Sequence, residues 1–113
     1  MKKQKAENYL ERIPLRKRGL EWTLDEKGMV TLNIPNRGFF NRMAQKFFGK
    51  PPVTYVHLDE NGSFVWPLID GEKDIIKLGE LVKERYGDAA EPLYPRLARF
   101  FQILESYGFV EWK

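Results

Sequence analysis

Apolar and polar positions alternate along the first half of the chain in a way that predicts a small antiparallel sheet. Residues 20–24 and residues 29–34 each alternate with the period of two that a half-buried strand requires. Gly28 ends the short stretch between them and can adopt the positive φ of a hairpin turn. Pro35 closes the second strand. A third alternating run covers residues 53–58, so we expect three strands.

The third strand is predicted to lead directly into a helix over residues 59–71. Asp59 stands where a helix cap belongs, because its carboxylate can accept from the free backbone N–H groups of the next turn. Apolar residues then recur at helical spacing until Asp70 and Gly71. Pro67 lies inside this helix, where it removes a backbone donor and crowds the preceding turn, so we expect a kink there.

Two further helices follow. Asp74 is predicted to cap the second, which ends at Gly87, and Gly79 on its buried stripe indicates close contact with a neighbouring element. That stripe consists of Ile75, Leu78, Gly79, Val82 and Tyr86.

The third helix is predicted to begin near Pro92 and to end at Tyr107, before Gly108. Two apolar stripes run along it, which indicates two neighbours. The principal stripe, assigned to the core, is Leu93, Leu97, Phe100, Leu104 and Tyr107; the adjacent stripe is Tyr94, Ala98 and Phe101. Residues 109–112 resemble a short strand that could add to a wing or a sheet edge.

The remaining segments are basic. Residues 1–18 carry a net charge of +5 and are expected to form a polar tail, either a frayed helix or a solvated terminus, ahead of a single domain over residues 19–113. Residues 35–52 carry +4, and their aromatic spacing predicts a short helix between the second and third strands. The second half is acidic, with −4 over residues 53–113.

Composition narrows the class of protein. The chain has 113 residues, of which 42% are hydrophobic and 31% charged, a profile typical of one globular domain. It has no cysteine, which excludes disulfides, thiolate metal sites and cysteine nucleophiles and suits a reducing compartment. No apolar run reaches the length of a signal peptide or a membrane span. We therefore expect a soluble, cytoplasmic protein.

The predicted order of strands and helices corresponds to a small α+β fold of winged-helix type, with about three antiparallel strands followed by a three-helix bundle. Within it, the second half of the chain resembles the PqqD-like family, named for protein D of pyrroloquinoline-quinone synthesis. The motifs that carry this resemblance are Leu58-Asp59-Glu60, Gly62-Ser63-Phe64-Val65-Trp66 and Ile69-Asp70-Gly71, followed by the second and third helices. Pro67 departs from the family pattern, which tends to have a polar helix former there.

The resemblance implies a peptide-binding module, a RiPP recognition element or peptide chaperone, in cofactor or peptide natural product biosynthesis. Such domains hold the leader of a ribosomally made precursor peptide for a modifying enzyme, usually a radical SAM enzyme. The leader adds as a strand to the third strand and contacts the third helix. The residues that this implies as peptide-binding are Val53, Thr54, Tyr55, Val56, His57, Leu58, Tyr94, Ala98 and Phe101.

Other functions have weaker support in the residues. His57 is the only histidine, so no nucleophile, base and orienting group can be assembled; we expect no enzyme activity, no metal and no cofactor. Ser63 has no base at helical spacing and is interpreted as part of the turn. A nucleic-acid-binding regulator remains the alternative, because winged helices can bind DNA, yet residues 72–107 carry only −1. An exposed third strand could also pair in a homodimer.

Overall fold

The computed structural model describes residues 9–35 and 53–113. The contacts divide the described residues into two units, which we describe separately. The sheet unit contains residues 19–35 and 53–63, and the helical unit combines residues 9–18 with residues 64–113. In chain order the elements are β1 (Pro14–Arg16), β2 (Glu21–Leu24), β3 (Val30–Pro35), β4 (Val53–His57), α1 (Glu60–Val65), α2 (Ile75–Tyr86), α3 (Leu93–Ser106) and β5 (Val110–Trp112).

The sheet unit contains the predicted three-stranded antiparallel sheet, in the order β2-β3-β4. The predicted hairpin connects β2 and β3. Its turn is held by the Asp25 carboxylate, which accepts hydrogen bonds from the backbone N–H groups of Lys27 and Met29, both at 2.9 Å. Gly28 supplies the positive φ, at 81°.

The two faces of this sheet differ in burial. Leu32 on β3 stands opposite Val56 on β4, and Val30 and Leu32 are both fully buried. Because side chains alternate along a strand, Thr31 and Asn33 lie on the other face of β3. Their partners by register there are His57 and Tyr55 on β4, and Thr23 and Glu21 on β2. We call these six residues the outer face; most of them are exposed.

The helix after β4 begins as predicted but ends early. The Asp59 carboxylate accepts from the backbone N–H of Gly62 at 2.8 Å, which confirms the cap. The α-helix then stops at Val65, and residues Trp66–Leu68 form a 3-10 turn. The prediction of one helix to residue 71 is therefore wrong beyond Val65. Pro67 explains the change, because it lacks an N–H and its ring crowds the preceding turn of an α-helix.

In the helical unit, α2 matches its prediction closely. Asp74 accepts from the backbone N–H of Lys77 at 2.8 Å, and Gly87 ends the helix with a φ of 60°. Four of the five residues of the predicted stripe are buried, while Tyr86 is half-buried. Gly79 has the expected close neighbour: a Cβ added there would lie 2.5 Å from Cε1 of Tyr94 on α3.

The structure corrects the core assignment on α3. The buried residues are Leu93, Leu97, Phe101 and Leu104. Phe100, assigned to the core, is half-buried, and Tyr107 is 69% exposed. Both series of positions fit a helical spacing, so the packing decides between them. The ring of Phe101 lies 6.2 Å from the ring of Trp112, which the strand β5 brings to this side of α3.

The last strand confirms the strand-like end of the sequence, and its partner lies in the segment expected to be a polar tail. β5 pairs with β1 in antiparallel register, with Pro14 opposite Trp112. Pro14 is buried, and its carbonyl oxygen accepts from the backbone N–H of Gly71. Over residues 14–16 the chain therefore differs from a frayed helix or solvated terminus. Residues 1–8, and the helix predicted within residues 36–52, lie outside the described residues.

The predicted α+β class, a three-stranded antiparallel sheet followed by helices, is confirmed. The winged-helix arrangement of these elements remains a prediction. Among the residues that the structure describes, no helix has the length and apolar character needed to span a membrane.

Candidate functional site

The strand β4 lies at the edge of the sheet. It pairs on one side with β3, and no other described strand pairs with it. Edge strands present a row of backbone N–H and C=O groups that a further strand can bind. Five of the nine residues predicted to bind peptide, Val53 to His57, form this strand, and Leu58 follows it.

The hydrogen bonds at the end of the ladder show which backbone groups of β4 face away from β3. The backbone N–H of Leu58 donates to the carbonyl oxygen of Val30 at 2.9 Å, so Leu58 points towards β3. In an antiparallel pair the direction alternates with each residue. The N–H and C=O groups of Tyr55 and His57 therefore point towards the open edge, and those of Val56 point towards β3.

Ser63 completes the ladder where the direct backbone bond is missing. Its hydroxyl oxygen accepts from the backbone N–H of Val30 at 2.8 Å, and the hydroxyl donates to the carbonyl oxygen of Leu58 at 3.3 Å. The side chain is buried, with 2% exposure. Ser63 thus anchors the turn between β4 and α1, which confirms the structural interpretation of this serine.

The side chains of β4 differ between the two faces. On the outer face the Tyr55 side chain is 61% exposed, and His57 is exposed as well. Nδ1 of His57 lies 2.9 Å from Oγ1 of Thr31, a hydrogen bond across the strands. Thr54 is exposed on the opposite face, where Val56 is half-buried. Leu58, just beyond the strand, is half-buried too.

The three site residues predicted on α3 belong to the helical unit. The Tyr94 hydroxyl donates to the carbonyl oxygen of Ile76 at 3.2 Å, and burial raises the pKa of this hydroxyl, with a further increase from the Glu80 carboxylate. Ala98 is half-buried. Phe101 has no exposed surface and packs against Phe100 and Trp112, so its side chain forms part of the helical core.

The carboxylates of Asp59, Asp70 and Asp74 have local structural roles. Asp59 and Asp74 cap helices, as described above. Asp70 accepts from the Lys73 side chain and from the backbone N–H of Glu72, and these bonds lower the pKa of Asp70 to about 2. The described part of the chain contains no group of three or more histidine, aspartate or glutamate residues that could hold a metal ion.

Sequence reasoning missed the residues of β2 and β3 that surround the β4 side chains. Asn33 lies between Glu21 and Tyr55 by register, and its side-chain Oδ1 is buried without a hydrogen-bond partner among the described residues. The alternation of residues 29–34 predicts that Asn33 lies on the face of the strand opposite to Leu32. Only the strand register shows that Tyr55 and His57 lie on that same face of the sheet.

These features define a small α+β protein whose sheet ends in an edge strand with outward-pointing backbone groups and exposed side chains. The family model for "Coenzyme PQQ synthesis protein D (PqqD)" matches residues 50–110, more than half of the chain, and the chain belongs to this family. The matched residues include β4 and all three helices. Searches of curated proteins and of solved structures gave no match.

Proposed function

We propose that this protein binds the leader of a ribosomally made precursor peptide by strand addition to β4. Membership of the PqqD family fits a role in cofactor or peptide biosynthesis. The observation that carries the finer proposal is the edge of β4, where Tyr55 and His57 direct backbone donors and acceptors away from β3. A peptide strand aligned with these groups forms main-chain hydrogen bonds, which supply affinity, while neighbouring side chains supply specificity.

In this proposal the protein is an accessory chain that presents the peptide to a separate modifying enzyme, which the family resemblance implies to be a radical SAM enzyme. The chemistry of the peptide would belong to that enzyme. The described residues fit this division, because several polar side chains have structural roles. Asp59 and Asp74 cap helices, Ser63 holds a turn and His57 forms a cross-strand bond.

The contacts proposed for α3 differ in kind. Tyr94 and Ala98 are half-buried and have surface to offer a peptide, whereas Phe101 lies in the core of the helical unit. We therefore propose Tyr94 and Ala98 as direct contacts and Phe101 as a residue that supports α3 from within. The nucleic-acid alternative is not favoured, since Arg12 lies over the Trp112 ring and Arg16 bonds backbone carbonyl groups, which engages part of the basic segment internally.

The substitution Tyr55→Pro tests strand addition. Proline removes the N–H that faces the open edge, and edge strands tolerate proline because no ladder bond is lost. We expect this variant to stay folded and to bind the precursor peptide about tenfold more weakly. One hydrogen bond is lost, and the peptide carbonyl that would accept it is left unpaired beside the proline ring. Tyr55→Ala is the matched control that removes the ring but keeps the N–H. Binding is measured by titration with a fluorescent precursor peptide.

Equal affinity of the Tyr55→Pro variant and the unaltered protein would contradict strand addition at β4. Circular dichroism and urea unfolding establish that the variant is folded. Val56→Pro serves as a second reference, because its N–H points towards β3 and its loss should damage the sheet itself.

A further inference from the structure

The outer face beside β4 has a distinctive chemical composition. Its residues are Glu21, Thr23, Thr31, Asn33, Tyr55 and His57, which the strand register brings to one side of the sheet. Glu21 is the only formally charged residue of these six, and it is negative. The other five offer hydroxyl, amide, imidazole and aromatic groups. A positively charged side chain is therefore the best complement to this face.

Asn33 adds an unsatisfied acceptor. Its Oδ1 atom is buried and has no hydrogen-bond partner within residues 9–35 and 53–113, although buried polar groups are normally paired. Asn33 stands opposite Glu21 on one side and Tyr55 on the other. The carboxylate of Glu21 and the amide oxygen of Asn33 therefore lie on adjacent strands, and both can accept hydrogen bonds from a donor.

Tyr55 lies between Asn33 and the open edge, with 61% of its side chain exposed. The face of an aromatic ring attracts cations, and arginine and lysine can lay their long apolar stems across such a ring. His57, the next outer-face residue on β4, is already paired through Nδ1 with Thr31. Of the two outer-face rings on β4, that of Tyr55 is therefore the one for which the described residues show no cross-strand hydrogen bond.

Strand addition fixes where a peptide side chain would meet this face. An added strand lies about 4.8 Å from β4, and the residue opposite Tyr55 projects its side chain to the same face as the ring. Asn33, one strand further, is then about 10 Å from the added strand. The side chains of arginine and lysine are long enough to cross the Tyr55 ring towards Asn33. Glu21 lies one strand further, about 14 Å from the added strand, so its carboxylate acts on this position through its charge, which attracts a cation and repels a carboxylate.

We propose that the peptide bound by this protein carries an arginine or lysine opposite Tyr55, and that the outer face selects this residue. The inference rests on the proposed strand addition and adds the chemistry of one peptide side chain to it. General electrostatics cannot produce the same preference, because the chain carries a net charge of +3 and attracts acidic peptides at long range.

The test begins with a random twelve-residue peptide library displayed on phage and selected against the full chain. Binders are synthesised, and those that change the amide signals of Tyr55 and His57 are retained as β4 ligands. We expect these ligands to share a basic residue within an alternating pattern. Replacement of an arginine at that position by citrulline, its neutral analogue, should weaken binding about 2- to 5-fold, the range of an exposed cation–ring contact. Replacement by glutamate should weaken it further.

Variants of the protein show which residue causes the difference in affinity between the arginine and citrulline peptides. Tyr55→Leu should remove the difference between the arginine and citrulline peptides, whereas Tyr55→Phe should keep it. Tyr107→Leu is the matched control, since Tyr107 is a similarly exposed tyrosine at the end of α3.

Two results distinguish the inference from the proposed function. β4 ligands that bind equally well with citrulline, or that prefer glutamate, would overturn the selection of a basic residue and leave strand addition intact. If the library gives no ligand that affects the Tyr55 and His57 amides, strand addition itself is contradicted, and the inference with it.

Discussion

At the scale of single residues, Gly79 sets the spacing between α2 and α3. A Cβ at this position would lie 2.5 Å from Cε1 and 2.9 Å from Cζ of Tyr94, closer than carbon atoms approach in folded proteins. The Tyr94 hydroxyl is bonded to the carbonyl oxygen of Ile76, so the ring cannot move without losing that bond. The glycine is needed for this close packing, and the sequence indicated it through a glycine on an otherwise apolar stripe.

The substitution Gly79→Ala has two opposite effects on the stability of the protein. Alanine favours a helix over glycine by about 1 kcal/mol, while overpacking typically costs about 1–3 kcal/mol. We expect the clash to dominate and the free energy of unfolding to fall by about 1 kcal/mol in a urea titration. In a Tyr94→Leu background, where the ring is absent, Gly79→Ala should be neutral or stabilising. A gain in stability in the presence of Tyr94 would show that the helices do not approach as described.

Phe100 and Phe101 show a limit of prediction at the residue scale. Adjacent positions on a helix point about 100° apart, and both fit a stripe that includes Leu93, Leu97 and Leu104. The burial of Phe101 depends on Trp112, which reaches α3 only because β5 pairs with β1. Helical periodicity therefore identified a buried face, but the choice between neighbouring residues required a contact that is distant in sequence.

At the scale of secondary structure elements, the caps and turns were the most predictable features. Asp59 and Asp74 occupy their predicted cap positions, and the hairpin turn forms between β2 and β3 as predicted. These signals are local, since each depends on a side chain and a backbone group a few residues away. By contrast, β1 has only three residues, too few to show an alternating pattern in the sequence. Its position depends on pairing with β5 and on a hydrogen bond to the segment before α2, which are distant in sequence.

The basic residues near β1 have a structural role that their charge alone does not show. Nη1 of Arg16 donates to the carbonyl oxygens of Trp66 and Pro67, at 3.3 and 3.1 Å. These carbonyl groups lie in the 3-10 turn after α1, where the partners of a continuing α-helix are absent. The backbone N–H of Ile69 also donates to the carbonyl oxygen of Trp66, at 3.2 Å. A cation is favourable at this end of a helix as well.

We therefore expect Arg16→Ala to lower the free energy of unfolding by about 1.5–3 kcal/mol, the range for a charged hydrogen bond. Arg18→Ala is the matched control, because Arg18 is an exposed residue of the following turn, and its loss should change stability by no more than about 0.5 kcal/mol. Urea unfolding followed by tryptophan fluorescence measures both. Equal effects of the two substitutions on the free energy of unfolding would contradict a specific role of the Arg16 hydrogen bonds.

At the scale of the whole molecule, the class of fold and the strand that we propose as the binding edge could both be predicted from the sequence. The alternation of residues 53–58 and the motifs after it identified β4, and the PqqD family match confirms the resemblance. The chemistry around the strand was less predictable. Glu21, Asn33 and Tyr55 come together only through the register of three strands, which depends on non-local pairing.

The central claim is that β4 accepts a peptide strand, and amide hydrogen exchange tests it residue by residue. The N–H groups of Tyr55 and His57 face the open edge, whereas that of Leu58 is bonded to Val30 and that of Val56 also points towards β3. A bound strand should therefore protect Tyr55 and His57 selectively. At a peptide concentration near 100 times Kd, their exchange should slow by up to about 100-fold.

The measurement is an exchange experiment followed by NMR on the full chain, with and without the precursor peptide. We predict new protection at Tyr55 and His57 and comparatively little change at Val56 and Leu58, which β3 already protects. Peptide binding that leaves the exchange of Tyr55 and His57 unchanged, while it protects amides elsewhere in the chain, would contradict strand addition at β4.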